Sequence, residues 1–221
     1  NICGKMIRIP LLAVLVLAFS HSDAQKADFY FLFLNSNPDR PELSKAATDS
    51  IQSAHMNNIS RLVQEEKLLV AGPFEGGGGI FIMNTDSFNQ AQEWIMTDPA
   101  VQAGRFRLEL LPWKKRVGTP CLASEDAEMV KYTFIRYVPH LTKFNIQQSP
   151  LLFKEHDDYM VKVRSAHEVI SDGIFVPHDG GVLIIAGDPD KTLIMNDPTV
   201  MEGMLYPEFK TIWLAEGSFC N

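Results

Sequence analysis

The hydrophobic positions fall into two rounds of one rhythm. Residues 29–34 (FYFLFL) are apolar on both faces, as in a strand covered from each side. After Pro38 and Pro41 the spacing turns helical over residues 42–64. There Ala47, Ile51, His55, Ile59 and Leu62 share one stripe. Residues 68–71 and 80–83 read as strands joined across Gly72-Pro73 and the glycine run 76–79. Ser87 is placed to cap a helix over residues 88–95, Asp98-Pro99 closes it, and residues 106–111 alternate as a last strand. The order is β-α-β-β-α-β.

The second round follows. Residues 132–138 predict a strand and residues 151–170 a helix. Strands at 173–176 and 182–186 flank His178-Asp179-Gly180-Gly181. Residues 188–195 form a short helix or turn, and residues 205–214 a closing strand. The punctuation repeats as well. The string D-P-x-V-x-x-G occupies residues 98–104 and again residues 197–203. Two copies, each between a short helix and a last strand, point to internal duplication, with one undivided mixed domain as the alternative. The predicted units are residues 27–115 and 129–215, joined by a linker at 116–128. Such a unit carries both helices on one face of an antiparallel sheet, which leaves the other face apolar and wet. Two units stacked sheet to sheet would cover each other, so one chain could imitate a dimer.

Charge and ends narrow the class. A formal net charge of -7 disfavours nucleic acid as a partner. Residues 1–24 have the layout of a secretory signal peptide: Lys5 and Arg8, an apolar run from Ile9 to Phe19, then Ser22 and Ala24 before the expected cleavage. That run is short for a membrane span, so the expected address is secreted or extracytoplasmic, the periplasm in a bacterium. An oxidising compartment permits a Cys121–Cys220 bond, although spacing alone does not bring the two within bonding range. Asn58-Ile59-Ser60 is a glycosylation sequon.

His55 and Asp98 are the candidates for chemistry. His55 lies on the apolar stripe, where a histidine is either a packed residue or an acid–base group at a pocket; imidazoles titrate near neutrality, which suits either direction of proton transfer. Asp98 either caps the Pro99 turn or orients His55. The glycine run lacks the lysine and following helix of a phosphate loop. Glu155-His156-Asp157-Asp158 is dense in ligand types, but adjacent side chains on a helix diverge, so no metal is expected. Arg105 and Arg107, beside the last strand of the first unit, either meet an anionic substrate or are solvated surface arginines, the commoner case.

The first half resembles the YCII family of small dimeric α+β-barrel proteins. The likeness rests on His55, on Lys67-Leu68-Leu69-Val70-Ala71-Gly72-Pro73, and on Asp98-Pro99 followed by Gly104 and Trp113. It implies an α+β fold of tandem ferredoxin-like β-α-β-β-α-β units forming an intramolecular α+β barrel. It also implies that His55 and Asp98 are a catalytic pair. Relatives by fold include muconolactone-isomerase-like enzymes, dehydrochlorinases and small monooxygenases. The expected function is therefore proton transfer on a small organic molecule without a bound cofactor, by a monomer of pseudo-dimeric build or a homodimer. The alternative is a non-enzymatic ligand-binding or structural module. The family is mainly intracellular and often single-domain, whereas this chain reads as secreted and duplicated. In the second half the place of His55 falls near Val161, with His156 five residues early and Pro177-His178 where Gly72-Pro73 stood. Either the helix of the second copy is shifted or that copy has lost the pair, and loss is the expected outcome.

Overall fold

The structure, a computed structural model, describes residues 26–140, 142, 147, 149–177 and 180–220. The signal-peptide segment lies outside the described residues. The chain order is β1 (Phe29–Ser36), α1 (Lys45–Gln64), β2 (Leu68–Pro73), β3 (Gly79–Met83), α2 (Phe88–Ile95), α3 (Pro99–Gln102), β4 (Phe106–Val117), β5 (Thr119–Pro120), β6 (Met129–Pro139), α4 (Ser149–Ala166), β7 (Val169–Phe175), β8 (Gly181–Ile185), α5 (Lys191–Met195), α6 (Pro198–Met201), β9 (Leu205–Ala215) and β10 (Phe219–Cys220). Local chemistry sets several boundaries. Ser44 and Ser87 accept backbone N–H groups at the starts of α1 and α2, and Asp190 does so at α5. Pro99 and Pro198 occupy first helical turns, where a missing N–H is harmless.

The fold is mixed α+β, built on one large antiparallel sheet. Eight strands follow the order β2-β3-β1-β4-β7-β8-β6-β9. Each half contributes four strands in the same relative order. The register repeats too: the β2–β3 ladder slips between Leu68 and Val70, and the β7–β8 ladder slips between Val169 and Ser171.

Two stacked sheets were expected, and here the structure differs. β4 runs on past the predicted Leu111 to Val117 and pairs with β7, from Trp113 opposite Phe175 to Val117 opposite Asp172. The segment read as the start of a linker is therefore strand, and the halves join edge to edge. At the far ends of the sheet, Phe74 bridges Ile212 and the Glu75 N–H donates to the Thr211 carbonyl at 3.0 Å. The sheet curls until its outermost strands touch.

Curling sorts the side chains into three cores. The inner one takes Phe31, Phe33 and Trp113 from the first half and Phe134, Phe175, Ile184 and Ile212 from the second. Phe31 meets Phe175 at 5.5 Å and Phe33 meets Phe134 at 6.0 Å between ring centroids, both edge to face. The alternate residues Leu32 and Leu34 face α1 and α2 with Leu62 and Ile95. Ile135, Tyr137, Met160 and Val163 form the matching core under α4. The doubly apolar first strand is thus accounted for. One face meets helices and the other meets the opposite half.

Close approach needs glycine at two equivalent points. A Cβ on Gly173 would run into the Trp113 indole, and one on Gly72 into Leu214 and the Trp213 carbonyl. The tail is fastened separately: β5 pairs with β10, and Cys121 and Cys220 are disulfide-bonded with Cα atoms 6.0 Å apart. Among the described residues no helix is long and apolar enough to cross a membrane.

Candidate functional site

His55 and Asp98, 43 residues apart in sequence, meet beside the middle of α1. The His55 Nδ1 stands 2.6 Å from Asp98 Oδ2. Asp98 is fully buried and its other oxygen accepts the Ala100 N–H at 2.8 Å and the Val101 N–H at 3.4 Å. Both readings of Asp98 therefore hold at once, since one oxygen caps the Pro99 turn and the other orients the imidazole. An ionised carboxylate only accepts, so Nδ1 donates to it, and in the neutral imidazole Nε2 is then the nitrogen with the free lone pair. That Nε2 has no hydrogen-bond partner among the described residues. The ring lies nearly parallel to Phe81, at 15°, with centroids 6.1 Å apart, and leans on Phe106 at 5.8 Å.

His55 lines a cleft of about 410 Å³, whose walls also include Leu34, Met56, Ile59, Phe81, Phe106 and Met129. The glycine-rich hairpin leaves this room. Gly72, Pro73, Gly78 and Gly79 edge the cleft and carry no side chain long enough to fill it. Gly78 also sits at a positive φ of 76°, where a Cβ would strike the Leu34 carbonyl. Met129 comes from β6, so the second half supplies part of the wall.

The second half keeps a histidine–aspartate pair, which corrects the expectation that it was lost. His156 Nδ1 stands 2.7 Å from Asp197 Oδ2, and Asp197 Oδ1 accepts from the Thr199 N–H at 2.9 Å and the Thr199 hydroxyl at 2.6 Å. The misplacement came from the strand after the helix. β7 begins at Val169, where residues 151–170 had read as helix, because the polar Ser171 and Asp172 hide its first half; both are buried. Counted from true strand starts, His55 lies thirteen residues before Leu68 and His156 thirteen before Val169. By the same register Gly72-Pro73 corresponds to Gly173-Ile174, not to Pro177-His178.

The surroundings of the second pair differ. Its cavity is about 70 Å³, and Arg116 and Asp157 line it as an ion pair at 2.5 Å. Tyr137 packs edge-on against His156 at 5.3 Å. In register it stands where Leu34 stands, each opposite the last glycine of its hairpin. Burial, reinforced by the Asp197 and Asp172 carboxylates, pushes the Tyr137 phenol well above the usual tyrosine range.

Other sequence candidates separate. Arg105 lines a depression next to the His55 cleft, whereas Arg107 is ion-paired with Asp39 on the surface. Asn58 of the sequon is buried. Its Oδ1 accepts from Arg61 at 2.7 Å and from Thr97 at 3.1 Å, so the folded chain does not offer it for glycosylation. Among the described residues no three His, Cys, Asp or Glu side chains converge to hold a metal.

Comparison with known proteins gives a family match on the first half. Residues 29–114 match the model of the YCII-related domain. An uncharacterized protein, YjpA of Bacillus subtilis (strain 168), is 33% identical over 63 residues, which cover 28% of this chain and 74% of that protein. A solved structure from Lactobacillus acidophilus NCFM, described as a "putative monooxygenase", aligns over 87% of this chain and 97% of its own with a TM-score of 0.47 and 11% identity. That last likeness is too remote to bear on chemistry.

Proposed function

The chain belongs to the YCII-related domain family, and on that footing we propose that its first half is a small-molecule enzyme whose His55 moves a proton, oriented by Asp98. The observation that carries this reading is that Asp98 holds Nδ1 of a histidine lining an apolar cleft large enough for a small organic molecule, while Nε2 has no partner among the described residues. There Nε2 removes a proton from a carbon next to a carbonyl. Asp98 stabilises the imidazolium so formed, and the same nitrogen returns the proton to another atom of the molecule. Atoms and charge balance without a redox partner. Isomerase and lyase chemistry share this first step, as does cofactor-free oxygenation.

Two wider proposals accompany it. The halves are a duplicated ferredoxin-like unit closed as an intramolecular barrel. Supporting this are the shared strand order, the matching ladder slips and the common inner core. The chain is exported, a reading supported by the apolar run at residues 9–19 and by the Cys121–Cys220 bond.

Solvent exchange tests the reaction. The full chain is incubated in D2O with a panel of small lactones and unsaturated carboxylic acids, and deuterium uptake is followed by proton NMR. At least one compound should exchange faster than in buffer. His55→Ala should lower that rate by roughly 10²–10⁴-fold. Asp98→Asn should lower it comparably, because an amide N–H facing Nδ1 forces the proton onto Nε2 and removes the base. Binding without exchange, or equal exchange in both variants, would favour the ligand-binding module and sink the enzyme.

A further inference from the structure

The His55 cleft does not end at its apolar walls. Gln52 and Phe106 belong also to an adjoining depression of about 290 Å³ whose lining includes Arg40, Arg105, Thr48 and Ser36. Arg40, Arg105 and Thr48 continue into an outer recess of about 460 Å³. Moving outward from His55, the lining changes from aliphatic and aromatic to cationic and hydroxylic over one helix face and one strand end.

The charges around these arginines leave them available. Arg105 donates one bond to the Pro41 carbonyl at 3.2 Å, and neither it nor Arg40 has an ion-pair partner among the described residues. Nearby acids are otherwise engaged: Asp39 is held by Arg107 and Asp49 by Lys45. Glu42 is the one carboxylate on the outer recess, and the inner depression has none. Two guanidinium groups beside a threonine hydroxyl make a site that accepts a planar anion in forked hydrogen bonds.

We propose that the molecule handled at His55 is an amphiphilic carboxylate, its apolar body in the cleft and its carboxylate on Arg40 and Arg105, with Thr48 as an additional donor. This rests on the first-half cleft being the binding site and names the substrate class for it. The junction at Gln52 and Phe106, shared by both linings, separates the two ends of the ligand, since the reacting carbon must reach His55 while the anion sits one depression away. Arg40 and Arg105 are binding residues that touch the ligand and take no part in proton transfer.

The test reads affinity alone, so it stands apart from turnover. Phenylacetate, 3-phenylpropionate and 4-phenylbutyrate are titrated against the full chain by calorimetry at low salt, each beside the alcohol of equal length. The wild type should bind at least one carboxylate more tightly than its alcohol by roughly 10- to 100-fold. Arg40→Gln and Arg105→Gln should each remove about tenfold, the double variant should bind acid and alcohol alike, and Arg105→Lys should recover part of the difference. His55→Ala should retain the preference. If acid and alcohol bind equally to the wild type, if none binds, or if the preference survives the double variant, the carboxylate site is overturned. Loss of exchange chemistry with the preference intact would instead overturn only the acid–base role. Circular dichroism of the half-exposed and exposed arginine variants confirms that the fold is retained.

Discussion

The two halves hold one hydrogen bond in two different settings. His55 meets Asp98 at 2.6 Å and His156 meets Asp197 at 2.7 Å, each from the middle of a long helix to the cap of a Pro-led turn. Around the first pair stand Leu34, Met56 and a cleft of about 410 Å³. Around the second stand Tyr137, Asp157, Arg116 and about 70 Å³. Counting along the last strand of each half from its Asp-Pro step, the counterpart of Arg116 is Ala215. The pair itself is therefore a tie between helix and turn that either half can use for folding. Whether it is also a reactive site depends on what faces the remaining ring nitrogen.

Exchanging the residue that distinguishes the cavities should have the largest effect. Tyr137→Leu removes a buried ring from beside His156 and should cost roughly 2–4 kcal/mol in urea unfolding. Leu34→Tyr should cost about 1–3 kcal/mol through overpacking and weaken aryl carboxylate binding at least tenfold by filling the first cleft. Unchanged affinity in Leu34→Tyr would mean that some other residue sets the difference between the halves.

Next in size is the tie that both halves share. Asp98→Asn and Asp197→Asn each keep an oxygen for the capping N–H groups but lose the charge on the imidazole bond. Each should lower stability by about 1–2 kcal/mol, by similar amounts in the two halves. A cost confined to the second half would show that the first pair is kept for reaction at no structural gain.

The smallest effect lies in alkaline solution. Burial raises the Tyr137 phenol, so the fold favours its protonated form. Its contribution is complete below the unfolded tyrosine value of about 10 and is lost as pH rises through the higher folded value. Tyr137→Phe should leave stability at pH 7 almost unchanged and make the chain less sensitive to pH above 10. Parallel pH–stability curves for the two proteins would remove the burial argument.

Much of this was legible in the chain. The doubly apolar run at Phe29–Leu34, the helical stripe through His55 and the repeated Asp-Pro strings specify local geometry, and local geometry is what near neighbours in sequence control. The second pair was obscured because Ser171 and Asp172 sit in strand β7 as buried polar residues. Asp172 is stabilised there by the Arg164 guanidinium at 2.6 Å, a partner that hydrophobic pattern cannot reveal. The true signal was the spacing from histidine to strand, readable only once the strand's start is known.

By itself the sequence determined the two rounds of strands and helices, the apolar demand of both faces of the first strand, and the identity of His55 and Asp98. Tertiary structure decided that β4 continues into β7 and that Phe74 reaches Ile212. It also decided which of two histidine–aspartate pairs keeps an open cleft. Those outcomes turn on side-chain volumes and charges brought together from positions far apart in the chain, so no local pattern encodes them.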